Sequence, residues 1–443
     1  MKKIVVLLCL IAMQFSPATA RDASAVYIAD DGIKITSYAE NWQKDKLEEI
    51  YKELKKNIHG EEWNYLESVN LYPGPGANGT EDGLYNYSLK KTGFFPRQDV
   101  SLEKGSRIDL YNMDSKDSID QVARVLSHEY GHHFTIYYLS KNDPKFFSDW
   151  KESGFYNARQ GMNYTEMSND PNVEHRWNIA EIAAEDYVQL YGSSTGKRPT
   201  EVYDIKERLD RRTIDRQMWF SSASYNIIPQ ENMDIPLALQ DDNIALYWKE
   251  VSGIRPDVEF YSKPDLSINK LKDLDNDYSM WELTWTKSSN TLGEEAIYYT
   301  VVAFGDEKTE FVPVKTVSRG EKRQAVIGSV VQKSGMKLNY YTDYFVSNGY
   351  SKLIVIITGR KGEAAASNIY NLDLSKGTVA AENQEERQNH YVSGEITNKK
   401  TSIAAFIAFI TEIVEEIIRQ FFSLVDRLFS YNIILNREDY YEH

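Results

Sequence analysis

The segment 127–133 (SHEYGHH) constrains the fold more than any other feature of this chain, because it contains the pattern HExxH. Residues i and i+4 share one face of an α-helix, so a helix here would let His128 and His132 bind one metal ion together. Glu129 lies one residue further round, where its carboxylate can reach a water on that ion without binding the ion. The pattern predicts a helix with two metal ligands and Glu129 as the catalytic base. The alternative is a pair of histidines on a solvated helix.

A catalytic metal of this kind needs a third protein ligand and one open position. The longer pattern HExxHxxGxxH is absent, since Thr135 stands where the glycine would be. We therefore expect the third ligand on a second helix (AEIAAEDY), where Glu181 and Glu185 are spaced i and i+4. One can bind zinc, and the other can accept the spare N–H of a ligand histidine. Helix geometry leaves the assignment of these two roles open, and two ordinary solvated glutamates are the alternative.

Zinc is the cofactor that this set of side chains favours, because imidazole is a good ligand for it and the ion has no redox chemistry. The chain has one cysteine, which excludes a disulfide scaffold and any zinc site built from several thiolates. The net charge of −15 argues against nucleic acid as a partner, since phosphate binding requires a clustered basic surface.

The first 20 residues are typical of a signal peptide. Lys2 and Lys3 precede an apolar run over 4–13, and residues 18–20 (ATA) form a small-x-small cleavage site. Cleavage would remove both lysines and Cys9, leaving a thiol-free chain of charge −15 − 2 = −17. We therefore expect a bacterial protein that is secreted, either extracellular or associated with the cell envelope.

Hydrophobic spacing divides the rest of the chain into an α+β part, an all-β part and a C-terminal helix. The domain prediction is a catalytic domain over 21–255, a β-sandwich over 256–376, a linker over 377–400 and a C-terminal amphipathic helix with its tail over 401–443. Within the first domain the pattern predicts a helix over 41–58, then strands over 68–72, 84–89 and 107–112, and then a helix over 117–140. An irregular stretch at about 141–175 follows, and after it come helices over 177–191 and 236–254. The 117–140 helix is expected to have Ser115 or Asp117 as its N-cap.

Together, HEYGHH and the later AEIAAEDYVQLYGS resemble the motifs of the gluzincin metallopeptidases. More specifically, they resemble the lethal factor type of catalytic domain and secreted relatives in Gram-positive bacteria, over about residues 41–254. The resemblance implies a zincin-like domain with an active-site helix and a small mixed sheet. It gives Glu181 the zinc-ligand role and Glu185 the supporting role. It also implies that the strand RIDLYN (107–112) is the edge strand that binds the substrate backbone.

The sequence departs from that family at one position that matters for catalysis. The lethal factor pattern has a tyrosine shortly before the ligand glutamate, which helps to stabilise the oxyanion, whereas the stretch EHRWNIAE has none. Tyr164, His175 and Arg176 are the candidates to replace it.

The β-rich region 256–376 resembles a fibronectin type III module, through the core tryptophan of LTW (283–285), the strand at 299–301 and Tyr350 before KLIVIIT. Another kind of β-sandwich is the alternative. For the C-terminal helix we expect packing on its own protein, on a second copy or on a partner helix. A weaker alternative is binding to a membrane surface, because its polar face lacks an excess of Lys and Arg.

These features predict a secreted zinc peptidase that acts on protein or peptide substrates, with Glu129 as the general base toward water on the zinc. Two alternatives stay open. One is a non-catalytic adhesion or scaffold protein that works through the β module. The other is a zinc amidase acting on cell-wall cross-links.

Overall fold

The computed structural model describes residues 22–382, apart from 78, 80, 95–96, 199–227, 275–277, 306–310, 329, 335–336 and 342–348. The predicted signal peptide, the C-terminal helix and the linker beyond Glu382 lie outside the described residues. In the part of the chain that is described, no helix combines the length and hydrophobicity needed to cross a membrane.

A five-stranded mixed sheet forms one layer of the first part of the molecule. Its strands are β1 (Ala25–Ile28), β2 (Lys34–Ser37), β3 (Leu66–Leu71), β4 (Gly83–Asn86) and β7 (Ser106–Leu110), and their order is β1-β2-β3-β7-β4. The three central strands, β2, β3 and β7, are parallel, whereas β1 and β4 run antiparallel to their neighbours. A separate hairpin, β5 (Leu89–Phe94) with β6 (Arg97–Leu102), follows β4.

Six α-helices accompany this sheet in the described part of the chain. They are α1 (Lys44–Lys56), α2 (Ala123–Asn142), α3 (Gly154–Ala158), α4 (Ile179–Tyr191), α5 (Ser194–Lys197) and α6 (Asp242–Ser252). Short 3-10 helices lie between them, at Glu61–Tyr65, Met113–Ser115, Ile119–Gln121, Pro144–Phe147, Trp150–Glu152, Gly161–Asn163, His175–Trp177 and Ala238–Gln240.

The sheet packs against the helices through one apolar face, which explains its alternating sequence pattern. Ile35, Val69 and Ile108 occupy matching register positions on β2, β3 and β7, and all three are fully buried. They share one core with apolar residues of the helices, among them Leu47, Leu126 and Phe134. Helix α2 is buried on almost every side because it runs between the sheet and α4. Its polar residues must therefore find partners inside the protein.

The residues from 256 onward form two further sheets that share a second core. One has the order β12-β9-β8, and the other has the order β11-β10-β15-β17-β18, with β16 paired to β15. Trp281 and Leu283 of β9 pack in the same core as Val301 of β10 and Val355 of β15. The strands are β8 (Leu266–Leu274), β9 (Tyr278–Trp285), β10 (Tyr298–Phe304), β11 (Phe311–Ser318), β12 (Gln324–Gly328), β15 (Lys352–Thr358), β16 (Ala364–Ala366), β17 (Tyr370–Asp373) and β18 (Thr378–Ala381), together with the hairpin β13 (Val330–Ser334) and β14 (Lys337–Tyr341).

A third apolar cluster joins the β-rich part to the first part. Met233 and Leu237, which come before α6, pack with Val302 and Ile356 of the larger sheet. Gln240 extends this junction by bonding both backbone groups of Ala366, at 2.9 and 3.3 Å. The architecture confirms the α+β prediction at the level of mixed helix and sheet with several small sheets.

The structure corrects three details of the sequence analysis. The strand at 107–112 is not an edge strand, because β7 lies between β3 and β4, and β4 is the edge. Helix α2 begins at Ala123, after a 3-10 turn, so its N-cap is Val122 and neither Ser115 nor Asp117. The predicted linker opens with a strand, β18, which pairs with β17.

Candidate metal centre

Helices α2 and α4 approach each other closely, and this contact builds the site. A Cβ atom placed on Gly131 would lie only 2.8 Å from the backbone oxygen of Ala184, so a larger residue at 131 would push the helices apart. Ala183 and Ala184 are fully buried, as expected for small residues at such a crossing. Helix α4 starts just before the site, where the Asn178 side chain accepts a hydrogen bond from the Ala180 amide. The site is therefore held by the helix packing itself.

His128, His132 and Glu181 converge in this crossing. The Oε2 atom of Glu181 lies 3.0 Å from His128 Nε2 and 3.1 Å from His132 Nε2. One candidate ligand atom from each of the three residues lies within 4.8 Å of the others. Ligands of one tetrahedral zinc, with bonds of about 2.1 Å, would be about 3.4 Å apart, so this donor set fits the ion. The structure therefore brings the three predicted ligands together.

Glu185 occupies the supporting position. Its Oε1 atom lies 2.8 Å from His128 Nδ1, on the ring edge opposite the nitrogen that faces Glu181. Its Oε2 atom accepts a hydrogen bond from the Arg124 guanidinium. Burial alone would raise the pKa of the Glu185 carboxyl, but the charges and hydrogen bonds of Arg124 and His128 outweigh it and lower the pKa. The geometry thus gives Glu181 and Glu185 different surroundings, which helix spacing alone could not do.

Glu129 is buried beside the cluster and faces the edge strand β4. A Cβ atom on Gly83 would lie 2.5 Å from Glu129 Oε1 and 2.7 Å from Val125 Cγ1, so only glycine leaves room for the carboxylate there. Burial raises the pKa of Glu129, and the nearby His132 and His128 oppose that shift. A carboxyl with a raised pKa accepts and returns a proton more readily near neutral pH, which is what a general base requires.

His175, one of the predicted oxyanion stabilisers, is also part of the site. Its Nε2 atom lies 3.2 Å from Glu181 Oε2, and its Nδ1 atom lies 2.6 Å from Glu231 Oε2. Burial lowers the pKa of His175, but the hydrogen bond with Glu231 and the charge of Glu181 outweigh it and raise the pKa to about 9. The His175 side chain is more than half exposed, so its ring is accessible to solvent.

Tyr164 and Arg176 have other surroundings. The ring of Tyr164 packs against Trp177, with the ring centroids 6.0 Å apart. Arg176 forms ion pairs with Glu174 and with Asp234. Among the three candidates for the oxyanion, His175 contacts Glu181, and the role of Tyr164 stays a prediction.

The third histidine of SHEYGHH, His133, has its hydrogen-bond partners in the protein interior. His133 is fully buried and bonds the Glu62 carbonyl through Nε2 at 2.8 Å, while its Nδ1 atom lies 2.8 Å from the Tyr85 hydroxyl. Because the carbonyl can only accept, Nε2 carries the proton and Nδ1 accepts from Tyr85. Burial lowers the pKa of His133 to about 4, so the ring stays neutral. His133 thereby ties α2 to the edge strand β4.

Sequence analysis missed Arg124, Glu231 and Gly83. A signal for Arg124 was present, since residues 124, 128 and 132 are spaced by four and share one helix face. No comparable signal exists for Glu231, which is 56 positions from His175 and reaches it only through the tertiary fold. Tyr87 lies near enough to Glu181 for its charge, together with burial, to raise the pKa of the Tyr87 hydroxyl.

Comparison of the chain with protein-family models, with curated proteins and with solved structures found no match.

Proposed function

We propose that this protein is a secreted zinc-dependent peptidase of the zincin type. The observation that carries the proposal is the convergence of His128, His132 and Glu181, with Glu129 buried beside them and facing the edge strand. The ligand set comes from an HExxH helix and a glutamate on a second helix, which is the arrangement that the resemblance to gluzincins implies. The mixed sheet with an antiparallel edge strand beside the HExxH helix supports the same reading.

His128, His132 and Glu181 would hold the zinc ion. When bound, zinc supplies a Lewis acid that lowers the pKa of a coordinated water toward about 7 and polarises a carbonyl oxygen. Glu129 takes a proton from the attacking water and later gives it to the leaving amine. The burial of Glu129 supports this role, because a low-dielectric position makes its carboxyl a better base than it would be in water.

The edge strand β4 would bind the peptide substrate in extended form. The amide of Tyr111 bonds the carbonyl of Asp82 at 2.9 Å, which sets the alternation of the pair with β7. The backbone groups of Gly83 and Tyr85 consequently point away from β7. They are available to a substrate strand, which would add to the sheet by main-chain hydrogen bonds.

His175 would stabilise the oxyanion that forms on the attacked carbonyl. Glu231 holds the Nδ1 atom of His175, so Nε2 is turned toward Glu181. A charged or polar donor fixed in that position contributes most when negative charge develops on the substrate.

For the β-rich part we propose a fibronectin type III-like module. The order β12-β9-β8 in one sheet and β11-β10-β15-β17 in the other supports this, together with the shared core between the two sheets. We assign it no catalysis, because such modules act as spacers or docking surfaces.

The test is the substitution Glu129→Gln. The variant should retain zinc and lose hydrolysis of an unstructured protein substrate by about 10²–10⁴-fold, the usual contribution of a general base. Zinc content is measured by atomic absorption, and cleavage is measured as new N-termini by mass spectrometry. Glu152→Gln is the matched control, because it removes an exposed carboxylate of the same size and should change neither quantity.

Full activity in Glu129→Gln would contradict the proposed mechanism. A purified wild-type protein that takes up no zinc would contradict the metal centre itself. Zinc uptake without any protein cleavage would favour the amidase alternative, which a panel of cell-wall peptides would then address.

A further inference from the structure

Arg124 lies one helical turn before His128 and is almost fully buried. Its Nη2 atom donates to Glu185 Oε2 and to the backbone carbonyl of Pro229, the latter at 2.8 Å. Its Nη1 atom lies 3.4 Å from the carbonyl of Gly196. One guanidinium thus joins α2, α4, α5 and the segment that carries Glu231.

We propose that Arg124 is a positioning residue for the metal centre, acting on His128 through Glu185. The inference rests on the proposed zinc peptidase function. It extends that function to Arg124, which contacts Glu185 and not the candidate ligands themselves. Arg124 holds one oxygen of the Glu185 carboxylate, which leaves the other oxygen, 2.8 Å from His128 Nδ1, to fix the plane and tautomer of the imidazole. Outer partners of this kind determine how well a ligand histidine meets its metal.

A positioning role and a purely electrostatic role of Arg124 predict opposite changes in zinc affinity when its side chain is removed. Arg124 carries a positive charge close to a cation site, so its charge alone would weaken zinc binding. Removing the side chain would then tighten binding if charge were its whole effect. A positioning role predicts the opposite sign, because an unsupported Glu185 no longer holds His128 in place.

The chain contains a matched control for the loss of a buried arginine. Arg159 is as buried as Arg124 and forms an ion pair with Asp186, the residue next to Glu185 on α4. Asp186 also accepts a hydrogen bond from Trp248 Nε1 at 3.0 Å, and this hydrogen bond fastens α4 to α6. Removing either arginine leaves a buried carboxylate without its cationic partner, so we expect the two losses to destabilise the fold by a similar amount.

The experiment compares Arg124→Gln with Arg159→Gln. Zinc affinity is measured by competition with a chromophoric chelator, and folding is monitored by thermal unfolding of the metal-free protein. We expect Arg124→Gln to bind zinc about tenfold more weakly than wild type, within the range for outer partners of metal ligands. Arg159→Gln should lower the unfolding temperature comparably and leave zinc affinity within about twofold of wild type.

Two further variants keep the test decisive. Arg124→Lys retains one donor toward Glu185 and should recover part of the affinity, whether or not Arg124→Gln folds. In a Glu185→Gln background, Arg124→Gln should cause no additional loss of zinc affinity, because Arg124 then has no carboxylate to hold.

Several results would overturn the inference. These are unchanged or tighter zinc binding in Arg124→Gln, an equal loss in Arg159→Gln, the absence of any recovery in Arg124→Lys, and a full tenfold loss that persists in the Glu185→Gln background. Failure of the wild-type protein to bind zinc would instead overturn the proposed function, so the two failures are distinguishable.

Discussion

Helix α2 and strand β15 each run through the middle of a hydrophobic core, yet they bury different chemistry. Strand β15 buries a run of aliphatic residues from Leu353 to Ile357. Helix α2 buries Arg124, His128, Glu129 and His133 among its apolar residues. Burying polar and charged groups costs free energy unless each finds a partner, whereas burying aliphatic surface is favourable. The difference teaches that β15 adds stability through apolar burial, while α2 gives up stability to keep a cluster of polar and charged side chains inside the protein.

The largest expected effect separates the two glutamates of α4. If three protein ligands share a zinc-binding free energy of at least about 10 kcal/mol, losing one costs roughly 4 kcal/mol, or close to 10³-fold. Glu181→Gln should therefore lose zinc and activity on that scale. Glu185→Gln should keep zinc, with about 10- to 100-fold weaker affinity. Zinc titration of both variants checks this, and the reverse ranking would exchange the two roles.

The next effect concerns the aliphatic core alone. Leu353 is fully buried, so Leu353→Ala should lower the free energy of unfolding by about 3 kcal/mol through lost apolar contacts and a cavity. Zinc affinity at a temperature where the variant is folded should not change. Val326→Ala, at an exposed position of β12, is the control and should cost less than about 0.5 kcal/mol. A tenfold loss of zinc affinity in Leu353→Ala would show that the two cores are coupled.

A smaller effect tests the contact between the edge strand and the general base. Gly83→Ala places a methyl group against the Glu129 carboxylate and should lower kcat/KM about tenfold, equivalent to about 1.4 kcal/mol. Zinc affinity should stay unchanged, because the ligands are not displaced. Gly74→Ala is the matched control, since a Cβ there would meet nothing within 4 Å. Equal activity of both variants would remove Gly83 from the site.

The smallest effect concerns the junction between the two parts. Lys197 is 5% exposed, and burial lowers its pKa to about 8, although Glu363 and Asp257 oppose that shift. The folded protein therefore binds fewer protons than the unfolded chain between pH 8 and about 10.5, so this lysine destabilises the fold below pH 8 and the penalty fades as pH rises through that window. Lys197→Met should therefore raise the free energy of unfolding at pH 7, because methionine carries no charge to bury.

Denaturant unfolding at several pH values checks this prediction. The advantage of Lys197→Met over wild type should shrink between pH 8 and 10.5 and be absent above it. An advantage that is independent of pH would mean that packing, and not the charge, is responsible.

Local sequence patterns predicted much of the secondary structure of the first domain. Helices α1 and α4 lie within three residues of their expected bounds, because their apolar residues recur at helical spacing. The predicted start of α2 was wrong by six residues, because a 3-10 turn at Ile119–Gln121 replaces the first helical turn. The prediction that 107–112 is the edge strand was also wrong. Strand order depends on pairing across the sheet and not on the composition of any one strand.

The candidate site shows the same division between local and distant information. His128 and His132 were expected to meet because four residues of helix bring two side chains to one face. The partner of His175 could not be anticipated, since Glu231 belongs to a segment beyond α5 that reaches the site only in the folded chain.

By itself, the sequence determined the spacing of the candidate metal ligands, the position of the candidate general base and the presence of a second helix with paired glutamates. These follow from the fixed geometry of the helix, which acts over a few residues. Only the tertiary structure decided that Glu181 faces both histidines, that Glu185 lies between His128 and Arg124, and that β4 borders Glu129. Those contacts join residues up to 61 positions apart, and they depend on how helices and sheet pack around one core.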